Sequence, residues 1–531
     1  MNAPRPDPHW IRGLLRPDAY GHETRDLRLL QTHISWVILT GDFAYKLKKP
    51  VHFPFVDFSS VALRERACRE EVRLNRRWSE RLYLGVVPVS GPPERPIMGG
   101  DGPVLDHAVQ MQQFGQDRLL AECLRRGEVT AEQLEEFGLD LARFHQRVAP
   151  ARGTEFGDPD SVRWAVLENF EVLGERGLDR QALASRKRVL DFSRRWLDES
   201  EPLLRERRAA GFVRECHGDL HVGNMLLLDG RIELFDCLEF NARLRWGDVM
   251  SEIAFLVMDL EHHGHRGLAR RFLNAYVEHG GDHAGLLLMP FYVAYRAMVR
   301  AKVDQLQRAD PARDEAGRRA LSLELARYLD VAARWARPAR PRLAVLSGLS
   351  GSGKTHHARR FVDAGFIRLR SDFERKRLAG SPLDVPVQGP ERSADAMPGA
   401  ADLYSEAMTR RTYEALLQRA TQCLRAGFSV VIDATCLKRW QRDLFAQLAR
   451  EEGVPRRLFV LEHNPAELER RIRGRARAAK DLSDADVRVL HGQVAGREPL
   501  DGDETGAATV VDFRAPGAER LLSDWIGRGA G

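Results

Sequence analysis

Asp219, Asn224 and Asp236 are the residues whose types and spacing first point to chemistry. They lie in HGDLHVGNMLLLDGRIELFDCLEF, from His217 to Phe240. Met225–Leu228 and Arg231–Phe235 read as two apolar strands, and Asp229-Gly230 between them is a two-residue turn signal. The hairpin folds the chain back, so Asn224 and Asp236 finish near each other. A carboxylate that orients an acceptor hydroxyl, together with oxygen ligands for Mg²⁺ on nucleotide phosphates, is the set that phosphoryl transfer requires. This indicates a reaction class without a substrate.

A second set follows the apolar strand Leu343–Ser347. Gly348-Leu349-Ser350-Gly351-Ser352-Gly353-Lys354-Thr355 precedes a helix through about Val362, which is G-x-x-x-x-G-K-[ST] in a strand–loop–helix context. Gly348, Ser350, Gly351, Ser352 and Gly353 form a loop whose backbone N–H groups surround phosphates at the positive end of a helix. Lys354 is expected to reach the β/γ-phosphates of ATP, and the Thr355 hydroxyl to ligate Mg²⁺. The strand Phe366–Leu369 ends at Arg370-Ser371-Asp372, and Ser429–Ile432 ends at Asp433. Both carboxylates therefore sit at strand ends, where open parallel sheets bind ligands. Asp433 is a candidate Mg²⁺ partner; Asp372 and Arg375 are candidates for holding or activating an acceptor. On the Arg-rich helix Glu467–Ala479, Arg471 and Arg475 share a face. They are candidates to clamp the transferring phosphoryl group, against the plainer reading of a solvated basic face. Ser381–Ala400 reads as a mobile loop near the acceptor side.

These residues need two scaffolds. A chain of 531 residues is too long for one ordinary core. Arg334–Arg342, RWARPARPR, is the expected linker, with domains over 1–333 and 343–531. The 43% hydrophobic and 30% charged composition is that of a soluble globular protein. The net charge of +6 is interspersed, which suits an enzyme of nucleotide phosphates and leaves nucleic acid possible but not indicated. The six cysteines make no CxxC pair and read as free thiols in a reducing cytoplasm. No signal-peptide core and no run of about 18 apolar residues occurs, so neither membrane spans nor export are expected.

In the first part, Leu27–Leu30, His33–Leu39 and Phe43–Lys48 read as strands, and Lys46 and Lys48 share a face of the third. A helix over Ser59–Ser79 follows, carrying Glu70 and Glu71, either of which could pair with the strand lysine. On the strand alone, solvated edge lysines compete with a nucleotide role; the downstream aspartates favour the nucleotide. Further strands at Leu82–Val89 and His107–Phe114 precede helices at Leu119–Arg126, Ala131–Val148, Ser161–Leu173 and Arg180–Ala209. This order is α+β.

Up to about Val331 the chain resembles the aminoglycoside phosphotransferase-like family, within the protein-kinase-like fold, on HGDLHVGN followed by LFD. The resemblance implies Asp219 as catalytic base and Asn224 and Asp236 as Mg²⁺ ligands. It also implies a nucleotide-side ion pair of Lys46 or Lys48 with Glu70 or Glu71. Val222 stands where that family often has Pro, and Gln31–Ser35 stands where a glycine-rich loop would lie. From about Arg342 the chain resembles small P-loop kinases of the gluconate-kinase, polynucleotide-kinase and zeta-toxin type, on GLSGSGKT, SDFER, VIDAT and the Arg helix. The expectation is an α+β protein-kinase-like fold followed by an α/β P-loop NTPase fold with a mostly parallel sheet. Its activity would be a bifunctional ATP- and Mg²⁺-dependent phosphotransferase with small-molecule hydroxyl acceptors. The alternatives are a nucleotide-binding regulatory role for one domain, or a polynucleotide-kinase or zeta-toxin-like second domain.

Overall fold

Two sheets organise the chain. The computed structural model describes residues 8–53, 56–311, 313–383, 405–478, 487–515 and 517–527. The expected loop at Ser381–Ala400 lies almost wholly outside them. The first sheet is antiparallel, in the spatial order Arg28–Gln31, Ser35–Leu39, Phe43–Lys48, Val104–Gln112, Tyr83–Ser90 and Ile97–Met98. Side chains alternate across a strand. Tyr45 and Leu47 therefore enter an apolar cluster with Trp36, Ile38 and Val89, while Lys46 and Lys48 face the helix Val61–Asn75, where both meet Glu71. Ser60 caps that helix, its hydroxyl accepting from the Leu63 N–H. Ala67, Cys68, Glu71 and Val72 form its buried stripe.

The central hairpin pairs Met225–Leu228 with Arg231–Leu234 as expected. Asp229 and Gly230 both take positive φ, 51° and 79°, as a two-residue hairpin turn requires. The single helix expected over Arg180–Ala209 is two, Arg180–Glu199 and Glu201–Ala209. The break is at Ser200, with φ −110° and ψ 8°. Pro202 has no N–H to continue the ladder and its ring crowds the preceding turn, so the chain restarts a helix with Pro in its first turn.

The second sheet has five parallel strands in the order Ile367–Arg370, Val430–Asp433, Leu343–Ser347, Arg456–Glu462 and Ala508–Asp512. Its first three strands are buried throughout, as strands covered on both faces must be.

The chain forms two compact units that are not consecutive in sequence. One comprises Met1–Gln133, Arg147–Glu171 and Arg194–Asp259; the other comprises Leu134–Gln146, Val172–Ser193 and Leu260–Gly531. The Arg334–Arg342 segment lies inside the second. Within it the helix Arg266–Gly280 lies along the edge strand Ile367–Arg370. Asn274 Oδ1 accepts the Arg368 N–H at 2.8 Å, Glu278 pairs with the Arg368 guanidinium at 2.8 Å, and Arg271 pairs with Asp363 at 2.6 Å. An edge N–H that would otherwise be unpaired is thereby satisfied. All six cysteines are buried. Among the described residues no helix is long and apolar enough to cross a membrane.

Candidate active sites

In the first unit, the loop from Cys216 to Asn224 is held by acids on one following helix, Val249–His262. The Glu252 carboxylate accepts from the N–H groups of His217 and Gly218 at 2.7 and 3.1 Å, and Asp259 accepts from the Val222 N–H at 2.9 Å. Burial lowers the His217 pKa and keeps the ring neutral. Its contacts place the proton on Nε2, which donates to the Phe235 carbonyl at 2.9 Å. Nδ1 is left to accept the Asp219 N–H at 3.3 Å. His217 thus ties the loop to the hairpin through both ring nitrogens.

The Asp219 carboxylate receives the Asn224 side-chain amide at 2.9 Å and has His221 Nε2 at 3.2 Å. Asn224 also donates to the Asp219 carbonyl, so Oδ1 is the atom it can offer a cation. Asp236 takes φ 62°, gives its N–H to the Tyr83 hydroxyl at 3.0 Å and turns its half-exposed carboxylate to Lys46. Burial works to raise the Asp236 pKa; Lys46 outweighs it and holds the carboxyl below the ordinary range. The Asp219–Asn224 and Asp236–Lys46 pairs are neighbours: Phe235, next to Asp236, donates its N–H to the Asn224 carbonyl at 3.1 Å, and the Asp219 charge acts on Asp236.

The two lysines left open by the sequence have different surroundings. Lys46 Nζ lies 2.8 Å from Glu71 and also pairs with Asp236, whereas Lys48 is sealed between Glu71 and Glu239. Glu71 is the acid shared by both. Glu70 belongs elsewhere: it pairs with Arg73 and Arg245, each at 2.8 Å. One residue along a helix rotates the side chain by about 100°, and this separates the two glutamates. Where a glycine-rich loop was absent from the sequence, Thr32 closes the hairpin instead, its hydroxyl accepting the Ser35 N–H at 3.0 Å.

In the second unit the P-loop leaves the central strand. Lys354 Nζ donates to the carbonyls of Gly348 and Leu349, both at 2.9 Å. The Gly348 N–H donates to the Thr435 carbonyl, His463 Nε2 to the Ser352 carbonyl, and the Ser350 N–H to Gln493 Oε1. A cleft of about 1300 Å³ brings together Lys354, Thr355, Asp372, Arg375, Asp433 and Arg471. Gly351, Gly353 and Ser350 also line it, while Ser352 is buried in the same loop. Asp372 is in the first turn of the helix Ser371–Leu378, whose N-cap residue, Arg370, makes no side-chain cap bond. Arg375 reaches Thr409 at 3.5 Å, and Arg471 pairs with Glu467 at 2.5 Å on its own helix. Arg475 lies on that helix, and its side chain is outside the described residues.

Asp433 is buried at the end of its strand with Oδ2 lacking a hydrogen-bond partner. Burial raises its pKa, opposed by Arg370 and, more weakly, by the Thr355 hydroxyl. An orphaned buried carboxylate oxygen beside Thr355 fits a hard cation such as Mg²⁺. Asn224 Oδ1 and the Asp236 carboxylate are hard oxygen donors of the same kind.

Glu239, Glu252, Asp259, Tyr83 and Gln493 were not singled out in the sequence. The signal for Glu252 and Asp259 was available, since isolated acids on a strongly apolar helix are rarely buried without a partner. Gln493 carried no such signal.

The site and sheet define the chain as a two-part protein of kinase-like architecture. Residues 67–288 match the phosphotransferase enzyme family, and residues 343–500 match the AAA domain. Over 409 residues the chain is 33% identical to Uncharacterized protein Rv2004c of Mycobacterium tuberculosis (strain H37Rv), covering 76% of this chain and 77% of that one. The same values relate it to Uncharacterized protein Mb2027c of Mycobacterium bovis. The chain belongs to the family of these proteins. Among solved structures it is similar to a choline/ethanolamine kinase family protein from Mesorhizobium loti. That match has 14% identity and a TM-score of 0.36, covering 61% of this chain and 98% of that one. It is also similar to a gluconokinase from Sinorhizobium meliloti 1021, with 20% identity and a TM-score of 0.25, covering 36% and 95%.

Proposed function

We propose that this protein is a bifunctional ATP-dependent phosphotransferase, each site moving the γ-phosphoryl group to a hydroxyl of a small molecule. The observation that carries the proposal is the proximity of the Asp219–Asn224 pair to the Asp236–Lys46 pair. Asp219 takes the proton of the attacking hydroxyl. Lys46 exchanges its contact with Asp236 for phosphate oxygens, with Glu71 holding its stem in line. Asn224 and Asp236 would hold Mg²⁺, which neutralises phosphate charge. In the second site, the P-loop and Lys354 hold the β/γ-phosphates, Thr355 and Asp433 would hold Mg²⁺, Arg471 faces the transferring group and Asp372 orients the acceptor. Catalysis in both is chiefly positioning and charge neutralisation.

The test is phosphorylation of a metabolite pool with labelled ATP by wild type, Asp219→Ala and Lys354→Ala. Each variant is expected to lose its own set of labelled products. The proposal fails if neither substitution changes any product or ATP turnover. A second reading, with the first site a nucleotide-binding regulatory module, is favoured by the Thr32-closed hairpin, which lacks glycines to wrap phosphates. It predicts ATP binding at that site and no product lost in Asp219→Ala.

A further inference from the structure

Glu278 and Asp433 bracket Arg368 and Arg370 in the second unit. Arg370 is the register partner of Asp433 on the neighbouring parallel strand, and Arg368 lies two residues before it on the same face. Glu278 comes from the helix Arg266–Gly280, upstream of the linker that the sequence predicts at Arg334–Arg342. It takes the Arg368 guanidinium with both carboxylate oxygens, at 3.2 and 2.8 Å. Its charge also acts on Arg370, and both guanidinium groups act on Asp433. The side chains of Arg370 and Asp433 are 9% and 4% exposed, yet Nε stays 3.9 Å from Oδ2, beyond hydrogen-bond distance. The Arg370 guanidinium packs over the Phe373 ring, 4.4 Å from its centre. Among the described residues Oδ2 has no hydrogen-bond partner. One oxygen of a buried carboxylate is thus kept open beside two buried arginines.

We infer that Glu278 is a positioning residue of the P-loop site, which by holding Arg368 and drawing on Arg370 leaves Asp433 Oδ2 open to a divalent cation. This rests on reading Thr355 and Asp433 as the cation site of an ATP-dependent kinase. Arginine and carboxylate pair most strongly through two parallel bonds, and a carboxylate so engaged has few lone pairs left for a metal ion. Without the Glu278 charge, Asp433 becomes the acid that draws both guanidinium groups. Lys354 brings a third positive charge to bear on Asp433. Glu278 offsets one of the three, and Glu135 acts on Arg368 more weakly. Once Glu278 is neutral, a cation must enter against a surplus of positive charge in a buried site, where repulsion is poorly screened. The backbone of Glu278 has a separate task. Its carbonyl accepts from Arg377 at 2.6 Å, in the last turn of the helix that carries Asp372 and Arg375. Glu278→Gln keeps that backbone contact and removes the charge alone.

The test uses the full chain carrying Asn224→Ala and Asp236→Asn, which removes the cation donors of the first site. Mn²⁺ binding with stoichiometric ADP is followed by water-proton relaxation, and Asp433→Asn in the same chain sets the background. Glu278→Gln should weaken the Asp433-dependent Mn²⁺ binding by about tenfold. Glu278→Asp, which keeps the charge, should weaken it by less. Arg368→Met added to Glu278→Gln removes the unbalanced guanidinium and should restore most of the affinity. Arg368→Met alone should bind Mn²⁺ at least as tightly as the parent chain, and this arm decides the matter if Glu278→Gln does not fold. In turnover, the Mg²⁺ concentration for half-maximal Lys354-dependent ATP hydrolysis should rise about tenfold in Glu278→Gln, while the rate at saturating Mg²⁺ falls by less than about threefold. A lower rate with an unchanged Mg²⁺ requirement overturns the inference, because Glu278 would then only hold the strand. So does weaker Mn²⁺ binding in Arg368→Met, or a double variant no better than Glu278→Gln. Asp433-dependent Mn²⁺ binding that is indifferent to Glu278 sinks this inference alone; Mn²⁺ binding that Asp433→Asn leaves unchanged sinks the cation site beneath it.

Discussion

Lys48 and Glu239 pair in the interior of the first unit, their side chains 0% and 3% exposed. The same ammonium reaches Glu71, and Glu71 holds Lys46. Acids and lysines thus alternate from Asp236 through Lys46, Glu71 and Lys48 to Glu239. Burial works against the charge on Lys48; Glu239 and Glu71 outweigh it and hold its pKa above the ordinary lysine value. Burial also opposes the charge on Lys46, and Asp236 and Glu71 overcome it. Both lysines therefore stay charged at physiological pH.

The two lysines are expected to fail differently. Lys48→Met leaves Glu239 buried without its cation, at a cost of about 3–5 kcal/mol. Denaturant unfolding should show it, and Glu239→Gln added to Lys48→Met should recover part of the loss. Lys46→Met removes a partly accessible group that the proposed function sets against the ATP phosphates. It should cut Asp219-dependent transfer by about 10²–10³-fold with little change in the unfolding midpoint. Equal stability losses in the two variants would contradict this division of roles.

Glu278 and Arg368 make the corresponding test in the second unit. Glu278→Ala strands a buried guanidinium and should destabilise by about 3–5 kcal/mol, whereas Glu278→Ala with Arg368→Met should cost clearly less than the sum of the two single changes. A double-mutant cycle by chemical unfolding measures the coupling. Additive effects would show that the pair contributes nothing beyond its separate packing.

The parts of both sites written in contiguous sequence were legible. The Asp219–Asp236 hairpin and the P-loop each fit in one short window, where turn chemistry and glycine spacing dictate local geometry. The contacts that depend on rotation about a helix axis were not. Glu70 and Glu71 are adjacent in sequence, and only the docking of Val61–Asn75 on the sheet decides which faces the lysines. Glu239 was in view within the motif, but its burial opposite Lys48 is a tertiary fact. Nor does any local pattern connect Asn274 and Glu278 to a strand some ninety residues further on. The break at Ser200 was legible in Pro202 and was overridden by the helical periodicity around it.

Asp304 gives the clearest pH dependence. It is buried on the helix Met289–Arg308, its Oδ2 has no hydrogen-bond partner, and burial raises its pKa from 3.8 to about 6, against the pull of Arg300. A carboxyl whose folded pKa exceeds its unfolded value favours folding while protonated. That contribution is complete below about pH 4 and lost as pH rises through about 6. Asp304→Asn should therefore raise the stability of the second unit at pH 8 by about 1–2 kcal/mol after allowing for solvent screening, and by much less at pH 4.5. Unfolding midpoints at the two pH values check the sign, and a larger gain at pH 4.5 would refute it.

Gly218 and Gly230 separate backbone strain from collision within one loop region. Both take positive φ, 89° and 79°. A Cβ at Gly230 meets nothing within 4 Å, whereas one at Gly218 meets Arg245 Cα and the Leu244 carbonyl oxygen, both at 3.1 Å. Gly230→Ala should therefore cost only the conformational penalty, about 1 kcal/mol, and keep Asp219-dependent transfer. At Gly218 the obstacle is backbone, which cannot swing aside as a long side chain would. The loop itself must move, and with it Asp219, the next residue. Gly218→Ala should lower transfer by the first site about tenfold or more while Lys354-dependent turnover is unchanged. Labelled-ATP assays on the two variants distinguish the cases: loss of transfer in both would point to strain, and loss in Gly218→Ala alone to displacement of the aspartate.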